Sequence, residues 1–239
     1  MTDADITFIV GLTGVGKSTT LGALKRSHLT LLPNRRELAD TIIIPEMQRD
    51  LGEPERAVTD RLGRFELTKR YRQRHPGGVV YALGRYLEQT PARGPLLFDN
   101  VRGVHEVKSA VETFSTSRFI FLDAPNIVRL GRLVGRSDSF DWVAATRPQN
   151  TSFAEKLSSI RGVEEVFDLY EVGHLEANAG VDDQALLNAV QIIVAEQQNY
   201  KSEDALAYLR TSLKDARLLY LDTSTLSVRE VASKIEAWL

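Results

Sequence analysis

The chain has 239 residues, 43% hydrophobic and 26% charged, enough for one α/β core with an appended subdomain. Its net charge of −2 gives no global field for nucleic acid or membranes, and the absence of cysteine excludes disulfides, zinc–thiolate sites and thiol nucleophiles. No apolar run approaches the roughly 20 residues of a membrane span, and the short acidic start at residues 1–5 does not resemble a secretion signal, so the cytoplasm is the expected compartment.

Residues 6–10, Ile-Thr-Phe-Ile-Val, predict a buried strand that runs straight into Gly11-x-x-x-x-Gly16-Lys17-Ser18. Helix-forming residues follow through Arg26. This order of strand, glycine loop and helix is what a triphosphate site needs. Gly11, Gly14 and Gly16 let the backbone close around phosphate with its N–H groups inward, together with Thr13, Val15 and Thr19. Lys17 supplies a cation at the β- and γ-phosphates, and Ser18 a hydroxyl for Mg²⁺. The helix beginning near Lys17 aims the positive end of its dipole at the same anion.

Further along, residues 34–40 (Asn-Arg-Arg-Glu-Leu-Ala-Asp) lead into a β-branched run at 41–45, predicted as the second strand. Helical patterns cover 55–74 and 77–89, followed by a strand at 95–99 that ends on Asp99. In a P-loop protein such an aspartate reaches the Mg²⁺ shell. A helix is predicted at 103–115, a strand over 118–123 ending on Asp123, and a helix at 126–136. Residues 138–216 break the alternation and read as helices. Ser152-x-x-Glu155 marks one start. Val163, Val166, Phe167 and Tyr170 share a helical face, as do Leu186, Val190, Ile193 and, one turn on, Glu196 and Gln197. A last strand at 217–222 precedes a helix opened by the capping box Ser227-x-x-Glu230. Apolar strands ending in aspartate and alternating with helices imply a doubly wound parallel sheet.

Charge is uneven. Residues 56–75 carry seven cations against Asp60 and Glu66, and residues 161–185 seven carboxylates against Arg161. Both fit solvated helix faces, and the basic one could also hold a second anion.

The string Asp99-Asn100-Val101-Arg102 resembles the Asp-Gly-x-Arg after the third strand of nucleoside-monophosphate-kinase-like P-loop proteins, with Asn100 in place of the usual glycine. Asp123-Ala-Pro, leading into Arg129, Arg132 and Arg136, resembles dephospho-coenzyme-A kinase and related small kinases, and Gly77-Gly78 resembles the glycine pair of archaeal adenylate-kinase-like small kinases. The resemblance implies a five-stranded sheet in the order 2-3-1-4-5, with the core at 1–137 and 217–239 and a helical insertion or enlarged lid at 138–216. It implies ATP and Mg²⁺ as cofactors, with Lys17, Asp99, Arg132 and Arg136 as catalytic groups and Ser18 and Asp99 as metal ligands. Arg102 would hold an acceptor phosphate, and Arg35, Arg36 and Asp40 would line the acceptor side.

The function implied is transfer of the γ-phosphoryl group from ATP to a small acceptor, a nucleotide or similar phosphorylated metabolite. Two other readings stay open: an ATPase or regulator with the insertion as a protein-binding arm, and a polynucleotide-end kinase tracking a strand with the 56–75 arginines. The latter region lacks the interleaved aromatics that single-strand grooves use.

Overall fold

The computed structural model describes residues 5–24, 28–135, 152–179 and 182–239. β1 (Ile6–Val10) leads through the glycine loop into α1 (Lys17–Ala23). β2 is only Thr30–Leu31 and is followed by α2 (Arg35–Leu38), a π-turn (Ala39–Ile43) and α3 (Ile44–Asp50). Then come α4 (Arg61–Arg74), α5 (Gly78–Gln89), β3 (Leu96–Val101), α6 (Val104–Thr113), β4 (Arg118–Asp123) and α7 (Asn126–Val134). Between α7 and the last strand lie α8 (Phe153–Ser158), α9 (Leu169–Ala179), α10 (Asp183–Tyr200) and α11 (Ser202–Ser212), all within the segment expected as an insertion, followed by β5 (Leu218–Asp222) and α12 (Val228–Trp238).

All strand pairs are parallel, and the order is β2-β3-β1-β4-β5, as the sequence implies. β1 is central and fully buried. Phe8 pairs in register with Phe98 on one side and Phe119 on the other. Its ring packs against both, at 6.0 and 5.3 Å between centroids. The carboxyl ends of β1, β3 and β4 therefore meet beside the glycine loop, where an open α/β sheet binds ligands.

The predicted strand at 41–45 is helical instead. Asn34 and Glu37 form a capping box that starts α2, and the chain stays helical through Asp50. Ile42, Ile43 and Ile44 are all buried there, so packing overrides their β-branched preference. The real second strand is two residues long and pairs with Leu96 and Leu97. Helix α4 begins later than predicted, at the Asp60 cap, whose carboxylate accepts from Leu62 and Gly63 amides. The stretch from Val163 is a short 3₁₀ turn (Val163–Glu165) separate from α9; Val163 and Phe167 are buried, but Tyr170 is 79% exposed.

The insertion packs through its own apolar cluster. Leu130 and Leu133 of α7 meet Leu157, Val172, Leu186, Val190 and Ile193. Ala205, Leu209 and Leu213, in contrast, join the main core with Phe8 and Phe119. Replacing the fully buried Ile193 by alanine is expected to cost about 2–5 kcal/mol of unfolding free energy in urea titrations.

Candidate phosphate-binding site

α1 starts at Lys17 after Gly16, whose φ is 93°, with no side-chain cap and no acidic residue in its first turn. The first amides of a helix have no intrahelical acceptor, so this end is open to an anion. Two glycines are required here. A Cβ at Gly11 would come within 2.7 Å of the Leu122 carbonyl oxygen. Gly14 has φ +86°, and its Cβ would press at 3.0 Å on Arg129.

The loop is held by its carbonyl side. Arg129 Nε donates to the Thr13 oxygen at 2.8 Å, Arg132 to the Gly14 oxygen at 3.1 Å, and Thr223 Oγ1 to the Val15 oxygen at 2.9 Å. Three successive carbonyls are thus committed to α7 and to the end of β5, which favours the amide groups of the loop facing the other way, as a phosphate nest requires. This corrects the expected lid. Arg129 is 1% exposed, and Arg132 also donates twice to Thr223, so both arginines brace the loop rather than cover its mouth. The helix is close enough to reach the loop because Gly14 leaves room for it. Arg136 lies outside the described residues.

Lys17 Nζ donates to the Gly11 and Leu12 oxygens at 2.6 and 2.8 Å. Burial, with Arg102 nearby, lowers its pKa to about 7, against the pull of Glu196 and Asp99. Asp99, half-buried within β3, accepts from the Asn100 amide. Burial raises its pKa, and Lys17 and Arg102 oppose that shift. Ser18 and Thr19 are exposed at the start of α1. Among the described residues no group of three acidic or histidine side chains could hold a metal. One carboxylate with one hydroxyl still fits Mg²⁺, which keeps waters and takes phosphate oxygens for the rest of its shell.

Among the described residues the most connected carboxylate is one whose sequence pattern places it only on a helix face. Glu196 of α10 accepts from the Thr13 amide at 3.0 Å and from the Thr13 hydroxyl. It also pairs with Arg129 at 2.6 Å and Arg102 at 3.1 Å. The one sequence signal for it was a carboxylate continuing the apolar stripe of Leu186, Val190 and Ile193.

On the acceptor side, Arg35 donates to Glu106 and to the Asn100 carbonyl, each at 2.8 Å, and Glu106 also accepts from the Arg102 amide at 3.0 Å. Arg35 and Arg102 are therefore brought together through Glu106. Asp40 pairs instead with Arg64, and Arg36 lies on the exposed face of α2. A cavity of ≈ 280 Å³ beside Gly16 is walled by Thr19, Thr20, Arg132, Thr223, Leu226 and Val231. Another, of ≈ 310 Å³, adjoins Arg102 through Gly103 and is lined by Lys69, Arg72, Glu106, Asn199 and Tyr200.

A glycine loop between the central strand and α1, in a parallel sheet ordered 2-3-1-4-5, is the P-loop kinase-like fold. No family model matches the chain, and no curated protein does. Similar solved structures include an unliganded sugar kinase from Janibacter sp. HTCC2649 (15% identity, 98% of this chain and 94% of that one, TM-score 0.47). A gluconokinase from Sinorhizobium meliloti (14%, 99% and 91%, TM-score 0.42) and a deoxyadenosine kinase from M. mycoides with bound dATP (11%, 97% and 97%, TM-score 0.42) are others. At these values the fold assignment rests on the chain's own sheet order and loop geometry.

Lys17 gives the site a pH signature. Between about 7 and its ordinary 10.5 the unfolded chain holds a proton that the folded protein has lost, so Lys17 contributes a stability that rises with pH across that window. Urea unfolding at intervals from pH 7 to 10 should show wild type gaining on Lys17→Met as pH rises.

Proposed function

We propose that the protein is an ATP- and Mg²⁺-dependent phosphotransferase acting on a small acceptor. The observation that carries this reading is the braced loop: carbonyls 13, 14 and 15 held away, open helix amides, and Lys17 beside Gly11 and Leu12. In this reading the amides of Gly14 to Thr19 and Lys17 hold the triphosphate, and Ser18 and Asp99 would hold Mg²⁺. The metal, when bound, would offset charge on the phosphoryl oxygens. The cavity beside Gly16 would take the nucleoside, with the Arg132 guanidinium as a flat wall for a base.

Arg102 is suited to an acceptor group. Its Nε is buried without a partner, while NH1 reaches Glu196. The adjoining cavity carries Lys69 and Arg72, which supports an anionic acceptor. The basic helix α4 gives less support to a polynucleotide strand, because Arg64, Arg70 and Arg74 are ion-paired with Asp40, Glu66 and Asp50.

An assay coupled to ADP release, run over sugars, nucleosides and nucleoside monophosphates, should find acceptor-dependent turnover that Lys17→Ala abolishes; a broad panel with no such turnover would sink the reading. Nucleotide binding carries a second expectation. Burial holds the Lys17 pKa down to about 7 without ligand, and a bound phosphate would favour its charged form, so ATP binding at pH 8 should be accompanied by proton uptake. Calorimetry in two buffers of different ionisation enthalpy measures this, and Lys17→Met should erase it.

A further inference from the structure

Glu196 stands where an anion belongs. Lys17 Nζ lies at the Gly11 and Leu12 carbonyls, and the Thr13 amide that Glu196 occupies is the next along the chain. The lysine of such a loop reaches the β- and γ-phosphates, so the terminal phosphate of a bound triphosphate would lie at this same end. Glu196 is close enough to act on the Lys17 charge. Its donors are those a phosphoryl group would use: a loop amide, a hydroxyl and the guanidiniums of Arg102 and Arg129. Arg129 cannot follow a ligand, since it is buried and bonded to the Thr13 carbonyl and Asn126. Arg102 can, with one nitrogen on Glu196 and its side chain part-exposed.

We propose that Glu196 is a specificity-determining residue of the nucleotide site, a resident carboxylate that competes with the terminal phosphate for Arg102 and the Thr13 end of the loop. The inference rests on the reading that the loop binds a nucleotide. It follows from charge. A diphosphate ends short of Glu196, whereas a triphosphate brings a like charge beside it, so the carboxylate narrows the advantage of ATP over ADP. The helix that carries Glu196 also supplies Asn199 and Tyr200 to the acceptor-side cavity, and the Tyr200 ring lies 5.8 Å from the Arg102 guanidinium.

The test is calorimetric titration of the full chain with Mg·ATP and Mg·ADP. Glu196→Gln keeps the shape and removes the charge, and should raise the ATP-to-ADP affinity ratio by about tenfold or more. Glu196→Asp keeps the charge and should keep the wild-type ratio. A residue that merely holds the loop together would change both affinities alike; a ratio unchanged within about twofold, or moved toward ADP, overturns the proposal. If Glu196→Gln does not fold, Thr13→Val decides. It deletes only the hydroxyl that Glu196 accepts from, loosens the carboxylate, and should move the ratio in the same direction; an unmoved ratio overturns the proposal. Binding of neither nucleotide by wild type, or binding that survives Lys17→Ala, overturns the nucleotide reading and the proposal with it. That result is distinct from Lys17-dependent binding with an unmoved ratio, which removes Glu196 alone.

Discussion

A phosphate nest imposes a constraint on the backbone that makes it. If successive N–H groups turn toward the anion, the carbonyls between them turn away and need donors of their own. In this chain those donors are Arg129, Arg132 and Thr223, on the oxygens of Thr13, Gly14 and Val15. Much else depends on meeting that need. α7 must lie close to the loop, which only a glycine at position 14 allows. The β5 end must present Thr223, whose backbone amide also donates to the Asp123 carbonyl at 2.9 Å and so ties the last two strands together. A guanidinium as buried as Arg129 needs a counter-charge, because an unpaired buried ion is strongly destabilising. Glu196 provides it, and with it the insertion becomes part of the loop's support.

The sequence exposed the parts whose chemistry is local. The glycine loop is contiguous, and its spacing carries its own physical reason. Apolar runs that end on Asp99, Asp123 and Asp222 announce a parallel sheet with polar groups at one edge, although β3 itself continues to Val101. The second strand was hidden because three consecutive isoleucines fill a core equally well from a helix. A capping box four residues before the end of α2 decided the outcome, and the two paired residues at 30–31 were too few to give a pattern. Arg129 and Arg132, three positions apart on α7, both turn to the loop, as residues on one helix face do. Periodicity names a face but not its neighbour, so nothing in residues 126–136 told that this face meets carbonyls.

The role of Glu196 was hidden for a different reason. Its partners lie 183, 94 and 67 positions away, and no local pattern encodes such a meeting. The acidic and basic helix faces also divide by context. Most arginines of α4 are neutralised by neighbouring carboxylates, and the surplus cations Lys69 and Arg72 gather at one cavity. A composition count could not distinguish the paired from the surplus.

The distances along the chain have a consequence for how the protein is made. The loop is written in the first twenty residues, yet the groups that hold it arrive at positions 129, 132, 196 and 223. During synthesis from the N-terminus, the glycine loop leaves the ribosome long before its braces do. A nascent chain stopped short of Thr223 has the glycine motif without the donor that holds the Val15 carbonyl. The loop takes its braced geometry only once β5 has joined the sheet.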